Sequence, residues 1–179
     1  MKWLTREELL ALLKVARSHS VRDWLLVLVS FSHGLRVSEL VGLTKANFRD
    51  AHITVRRLKG SLKTTQALLS SAEPLLDEKT AVEAYLRTLG PKDRLFPITR
   101  YGVAFKMKQF CTEAGIPAHK ASPHKLKHTT GMLMIQGGAG IEAVRQYLGH
   151  RSLASTGEYI RINDEAASVA FSSAMGGAQ

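Results

Sequence analysis

The stretch Trp24-Leu25-Leu26-Val27-Leu28-Val29-Ser30-Phe31 constrains the fold of this chain more than any other feature. It is apolar on almost every side, so a helix over 22–31 has no face to offer to water and must be surrounded by other elements. It is also far too short to cross a bilayer, which takes about 20 apolar residues. The chain reads as one globular unit wrapped around a buried helix, and 179 residues are enough to bury a core of that kind.

The elements that could do the wrapping are legible in turn. Thr5-Arg6-Glu7-Glu8 is a capping box, and Leu9, Leu12, Leu13 and Ala16 follow at helical spacing. Gly34 ends the buried helix, and residues 37–43 form a short helix or turn beside Arg36 and Glu39. Residues 52–56 alternate and are β-branched, which predicts a strand with 66–69 as its partner. Between them lies a basic loop, 57–65, turning at Gly60-Ser61. Helices are predicted again over 77–89 and 101–114, and Ser122-Pro123 opens another that ends at Gly137-Gly138. A last one over 141–148 stops at Gly149, and an alanine-rich segment begins at Asn163. The expected fold class is mainly α with a small antiparallel β-sheet.

Charge narrows the function. Lys and Arg number 25 against 15 Asp and Glu, a net charge of +10, which suits nucleic acid or an anionic surface. Cys111 is the sole cysteine, set among helix-forming neighbours, so neither a disulfide nor a cysteine-rich zinc site is expected. The first residues do not form a signal peptide. These features predict a protein of a reducing compartment with no membrane partner.

The chemistry concentrates in the last third. Ser122-Pro123-His124-Lys125-Leu126-Lys127-His128 is followed by Leu148-Gly149-His150 and then Tyr159, with little acid among them. His124, Lys127 and His128 share one helix face. The His124/His128 pair has zinc-ligand spacing, but the flanking lysines argue against a cation, so no metal is predicted. A helix opening with such cations favours a phosphate. Arg36, just after the Gly34 break, is either an ion pair with Glu39 or a phosphate clamp whose planar fork suits two oxygens. Of the four tyrosines, Tyr85, Tyr101 and Tyr147 fall in helices and read as packing. Tyr159 follows a polar stretch and is the candidate nucleophile, a phenol that needs cations or a base to attack near neutral pH.

Taken in order, these pieces resemble the tyrosine recombinases, the phage-integrase-type site-specific recombinases. Gly34-Leu35-Arg36-Val37-Ser38-Glu39-Leu40 is similar to the first arginine box of that family. His124-Lys125-Leu126-Lys127-His128 is similar to its His-x-x-Arg box, with lysine where arginine is usual. Leu148-Gly149-His150 and Tyr159 resemble its closing box. The resemblance runs from about Thr5 to Ile162 and implies the catalytic-domain fold of that family.

It implies roles as well. Arg36 and Lys127 would hold the non-bridging oxygens of the scissile phosphate of double-stranded DNA, and His150 would hydrogen-bond it. His124 would assist proton transfer, and Tyr159 would attack to leave a 3′-phosphotyrosyl link and a free 5′-hydroxyl. A hairpin lysine, Lys59 with Lys63 as the alternate, would protonate the leaving oxygen. His128 would support the helix. No cofactor is required, because the phosphotyrosyl link conserves the bond energy.

The resemblance further implies a homotetramer on DNA, with residues 163–175 either packing on a neighbouring subunit or capping their own. It implies a cytoplasmic, nucleoid-associated enzyme of prokaryotic or phage origin. The separate N-terminal core-binding domain of most members is missing from the pattern, so 1–179 reads as a single catalytic domain. It would then be a small member like the fimbrial phase-switch recombinases, or a fragment. Two rival readings stand beside it. One is a non-catalytic DNA-binding protein of the same fold, with Lys127 marking decay. The other is a type IB topoisomerase, disfavoured by the His150–Tyr159 spacing.

Overall fold

The computed structural model describes residues 3–57 and 63–150. The first helix, α1 (Arg6–His19), starts where the capping box predicts. The Thr5 hydroxyl accepts from the Glu8 amide at 3.2 Å, and the Thr5 amide donates to the Glu8 carboxylate at 2.8 Å. Its apolar positions Leu9, Leu12, Leu13 and Ala16 are all buried. They pack on α2 (Val21–Ser32), the helix that the apolar run predicts.

From Trp24 to Val29 every side chain of α2 is buried. It is the axle of the molecule, contacted by α1, by the short α3 (Val37–Leu40), by α4 (Glu78–Arg87) and by α6 (Pro123–Gln136). The remaining helices are α5 (Arg100–Glu113), which packs on α1, α3 and α6, and α7 (Ile141–Tyr147), which packs on α6. Cys111 is buried on α5, and burial pushes its thiol up to about 11, so it behaves as an apolar side chain. Tyr85 is half-buried on α4, and Tyr101 is a surface residue of α5, 84% exposed. Among the described residues no helix is long and apolar enough to cross a membrane.

The sheet has three antiparallel strands in the order β1 (Phe48–Arg49), β2 (His52–Arg56), β3 (Lys63–Ala67). Its register pairs His52 with Ala67 and Arg56 with Lys63. The strand predicted over 66–69 instead runs Lys63–Ala67, beginning three residues earlier and taking in the β-branched pair Thr64-Thr65. Strand β1 carries too few residues to alternate, and its turn hides the usual hairpin signal. Asp50 and Ala51 both take positive φ, 51° and 56°, where Asn-Gly would be the readable choice.

Two glycines bring distant parts of the chain together. Gly34, at φ +54°, ends α2, and a Cβ there would collide with the Leu148 side chain. Gly149, at φ +64°, follows α7, and a Cβ there would lie 2.7 Å from the Arg57 side chain. The loops after α2 and after α7 touch because both positions lack a side chain.

Candidate active site

Arg36 caps α3 and is held from behind. The Glu39 carboxylate accepts from the Arg36 amide at 2.8 Å and from its guanidinium at 2.9 Å. Burial works to raise the Glu39 carboxyl, but the Arg36 amide and the Arg57 charge outweigh it and hold it below the usual range. Arg36 keeps 35% of its side chain exposed. It lines a cavity of about 470 Å³ with Ser38, Arg100, Ser122 and His124. The ion-pair reading of Arg36 is realised, and the side chain still presents an edge to solvent.

Helix α6 supplies the next two groups from one face at different depths. Ser122 is its N-cap, although its hydroxyl makes no capping bond. His124 is exposed at the cavity, while Lys127, one turn on, is only 4% exposed. The Lys127 ammonium donates to the Gly34 carbonyl at 2.7 Å and to the Leu148 carbonyl at 2.6 Å. It therefore clasps the loop leading to Arg36 and the loop leading to His150. Burial pulls its pKa down to about 7, aided by the nearby Arg57 and Arg36 charges and opposed by Glu39. His128 is buried one step further, its ring meeting Trp3 edge-on at 5.9 Å. The zinc-spaced histidines therefore have separate surroundings. Among the described residues no three His, Cys, Asp or Glu side chains gather as a metal site.

His150 arrives from the other direction. Its amide donates to the Arg145 carbonyl at 2.9 Å, and the Arg145 guanidinium donates to the His150 carbonyl at 2.8 Å, braced in turn by Glu142. The imidazole is 7% exposed and its pKa is depressed to about 4, first by burial and then by the charges of Lys127, Arg36, Arg57 and His124. At neutral pH it is uncharged and able to donate a hydrogen bond. The same list of neighbours shows that residues 36, 57, 124, 127 and 150 form one electropositive centre. A cluster of cations of this kind attracts anions.

Arg57 is the member that sequence reasoning missed. Placed by its position in a basic loop, it is instead buried, with all five guanidinium N–H groups engaged. Nε donates to Thr64 at 3.0 Å, Nη1 to the Gly34 carbonyl at 3.3 Å and to Glu39 at 3.2 Å, and Nη2 to the carbonyls of His33 at 2.9 Å and Tyr147 at 3.1 Å. The available signal was its place directly after an alternating strand, where the side chain at 57 continues the inward set Ile53 and Val55. Charge alone suggested the opposite. Tyr147 packs as expected, its hydroxyl donating to the Ser32 carbonyl at 2.7 Å. Lys63 is exposed at the start of β3. Lys59 and Tyr159 lie outside the described residues.

The family model described as phage integrase family matches residues 2–166. The chain belongs to that family. Among curated phage-integrase relatives, tyrosine recombinase XerA of Pyrococcus furiosus is 35% identical over 170 residues, covering 90% of this chain and 57% of that protein. The type 1 fimbriae regulatory protein FimE of Escherichia coli K12 is 28% identical over 172 residues, covering 90% of this chain and 86% of that protein. Among solved structures, the crystal structure of XerA recombinase superposes with a TM-score of 0.77 at 26% identity, covering 96% of this chain and 64% of that one. The chain thus spans little more than half the length of the XerA relative, and its mostly helical fold with a small antiparallel sheet is the catalytic-domain fold of the phage integrases.

Proposed function

We propose that this chain is the catalytic part of a site-specific DNA recombinase that cleaves and rejoins double-stranded DNA through a 3′-phosphotyrosyl intermediate. The observation that carries the reading is the convergence of Arg36, His124, Lys127 and His150, from three separate stretches of sequence, on one electropositive centre with a cavity at its edge. Phosphoryl transfer asks for little beyond that: oriented reactants and cations placed against the equatorial oxygens.

In this proposal Arg36 binds the non-bridging oxygens directly. Lys127 adds its charge from beneath, through the two loops that it clasps. The neutral His150 donates to a phosphate oxygen, and exposed His124 exchanges a proton with the attacking Tyr159. The Tyr159 oxygen forms its bond to phosphorus as the 5′ oxygen leaves, and a hairpin lysine, Lys59 or alternatively Lys63, protonates that oxygen. Attack by another 5′-hydroxyl reverses the step and joins new ends, so no cofactor is consumed. The lambda integrase structure holds that protein bound to DNA, which supports a DNA partner here. Assembly as a homotetramer on two DNA sites is part of the same proposal.

A nicked duplex that traps the covalent product tests the reading. The wild-type protein is expected to become attached to the 3′ side of the break. Tyr159→Phe should bind the same DNA and form no adduct. A wild-type protein that binds DNA tightly but never becomes attached is a non-catalytic binder, and the proposal fails. An adduct that persists in Tyr159→Phe moves the nucleophile elsewhere.

A further inference from the structure

Beneath the electropositive centre lies a side chain that touches no solvent and yet bonds to both the stretch leading to Arg36 and the stretch leading to His150. Arg57 leaves the end of β2 and projects inward between α2, α3, β3 and α7. Its five donors meet five different acceptors: His33 and Gly34 after α2, Glu39 on α3, Thr64 on β3 and Tyr147 at the end of α7. Gly34, Glu39 and Tyr147 lie within three positions of site residues in the chain. Gly34 is two positions before Arg36, and Glu39 is the carboxylate that holds Arg36 by its guanidinium and amide. Tyr147 is three positions before His150.

We propose that Arg57 is a positioning residue of the active site, setting the separation between the Arg36 loop and the His150 loop and fixing the β2–β3 hairpin against both. The inference rests on the recombinase reading for its catalytic consequence, though not for its geometry. A planar fork with five donors spread over three nitrogens is required, since an ammonium has only three donors, all on one atom. Gly149 supports the assignment. Its missing Cβ is the space that the Arg57 side chain occupies, so the loop bearing His150 is shaped around Arg57. Gln66 adds a parallel brace, its amide donating to the same Tyr147 carbonyl at 2.8 Å while its oxygen faces His33 at 2.9 Å. Displacing a reacting group by about 1 Å costs about a hundredfold in rate, so a residue that sets such distances acts on chemistry without touching the phosphate.

Three variants test this: Arg57→Met, Arg57→Lys and Thr64→Val, the last removing only the bond to Nε. For each, thermal unfolding gives the folded fraction, anisotropy gives affinity for a nicked duplex, and single-turnover attachment at saturating DNA gives the chemical rate. The expected result is a rate loss of about a hundredfold for Arg57→Met, a smaller loss for Arg57→Lys and a few-fold loss for Thr64→Val, with affinity changed by less than about threefold. A merely structural role lowers the melting temperature and leaves the rate of the folded protein intact. Rates within about twofold of wild type in both Arg57→Lys and Thr64→Val overturn the proposal, whether or not Arg57→Met folds. If the wild type forms no adduct, the recombinase reading has failed instead, and the positioning role is judged on the His150 ring resonances across a pH titration. They should move in Arg57→Lys, and an unchanged titration there would exclude it.

Discussion

The interior of α2 and the segment at and past its C-terminal end are both buried and could hardly differ more in what surrounds them. Around Leu25 to Val29 the neighbours are Leu9, Leu12, Leu13, Val82 and Phe110, a dry hydrocarbon core. Past Ser32 the neighbours become His33, Glu39, Arg57, Gln66, Glu78 and Lys127, all buried and most of them charged. His33 donates to Glu78 at 2.8 Å and faces Gln66, so even the polar layer is stitched together internally. The dry end needs no partner to be stable, because burial of apolar area is its own driving force. The polar end costs desolvation at each charge and, with Arg36 at its rim, sets the cations Arg36, Arg57 and Lys127 against the carboxylates Glu39 and Glu78. Its Lys127 and His150 both sit well below their ordinary pKa values for that reason. A net positive layer of this kind attracts anions, while the dry core offers them nothing. This difference separates the part of the molecule that makes the fold from the part built to bind.

Substituting Lys127 is the strongest way to break that distinction. Lys127→Ala removes a cation from the polar end and releases two carbonyls, so DNA attachment at saturating substrate should fall by roughly a hundredfold or more, the scale of one lost oxyanion-type donor. Lys127→Arg should keep or raise the rate if the larger group reaches the phosphate, and lower it if the pocket is shaped to the ammonium. Attachment at the wild-type rate in both variants would mean that the polar end is only scaffolding.

Truncation at the dry end should have the reverse signature. Leu28→Ala removes a fully buried side chain and is expected to cost about 2–5 kcal/mol of stability. Attachment by the protein that remains folded should stay at the wild-type rate. Chemical denaturation and single-turnover cleavage measured together check this, and a slowed reaction in folded Leu28→Ala would erase the contrast between the two ends.

The smallest effect is the dependence on pH, and its signs oppose each other. Lys127 titrates at about 7 when folded and at 10.5 ordinarily, so between those values the unfolded chain holds more protons and stability rises with pH. His150, lowered from 6.5 to about 4, withdraws stability as pH falls through that window. Activity should run the other way. A neutral Lys127 holds an anion less well, so attachment measured at low DNA should decline above about pH 7, up to tenfold per unit, while bound DNA moves the decline to higher pH. Lys127→Arg should abolish that limb. A profile identical in wild type and Lys127→Arg would show that the lysine stays charged throughout.

Much of this was legible without coordinates. The capping box at Thr5, the buried run of α2, the Ser122-Pro123 start and the Gly34 and Gly149 stops are local signals, decided by neighbours within a turn or two. For the same reason the order of boxes around Arg36, His124, Lys127 and His150 pointed to the correct family. Strand β1 and the true start of β3 were not legible, because two residues cannot alternate and the Asp50-Ala51 turn lacks its usual glycine. Charge misled as well. A lysine and an arginine in basic stretches read as solvated or ligand-facing, and tertiary structure buries both Lys127 and Arg57. Which face of a segment turns inward depends on acceptors supplied from far away in the chain, here the carbonyls of Gly34, Tyr147 and Leu148. Sequence by itself determined which elements form and which chemical groups are present. Only the tertiary structure decided that those carbonyls converge, and with them where two cations could be buried.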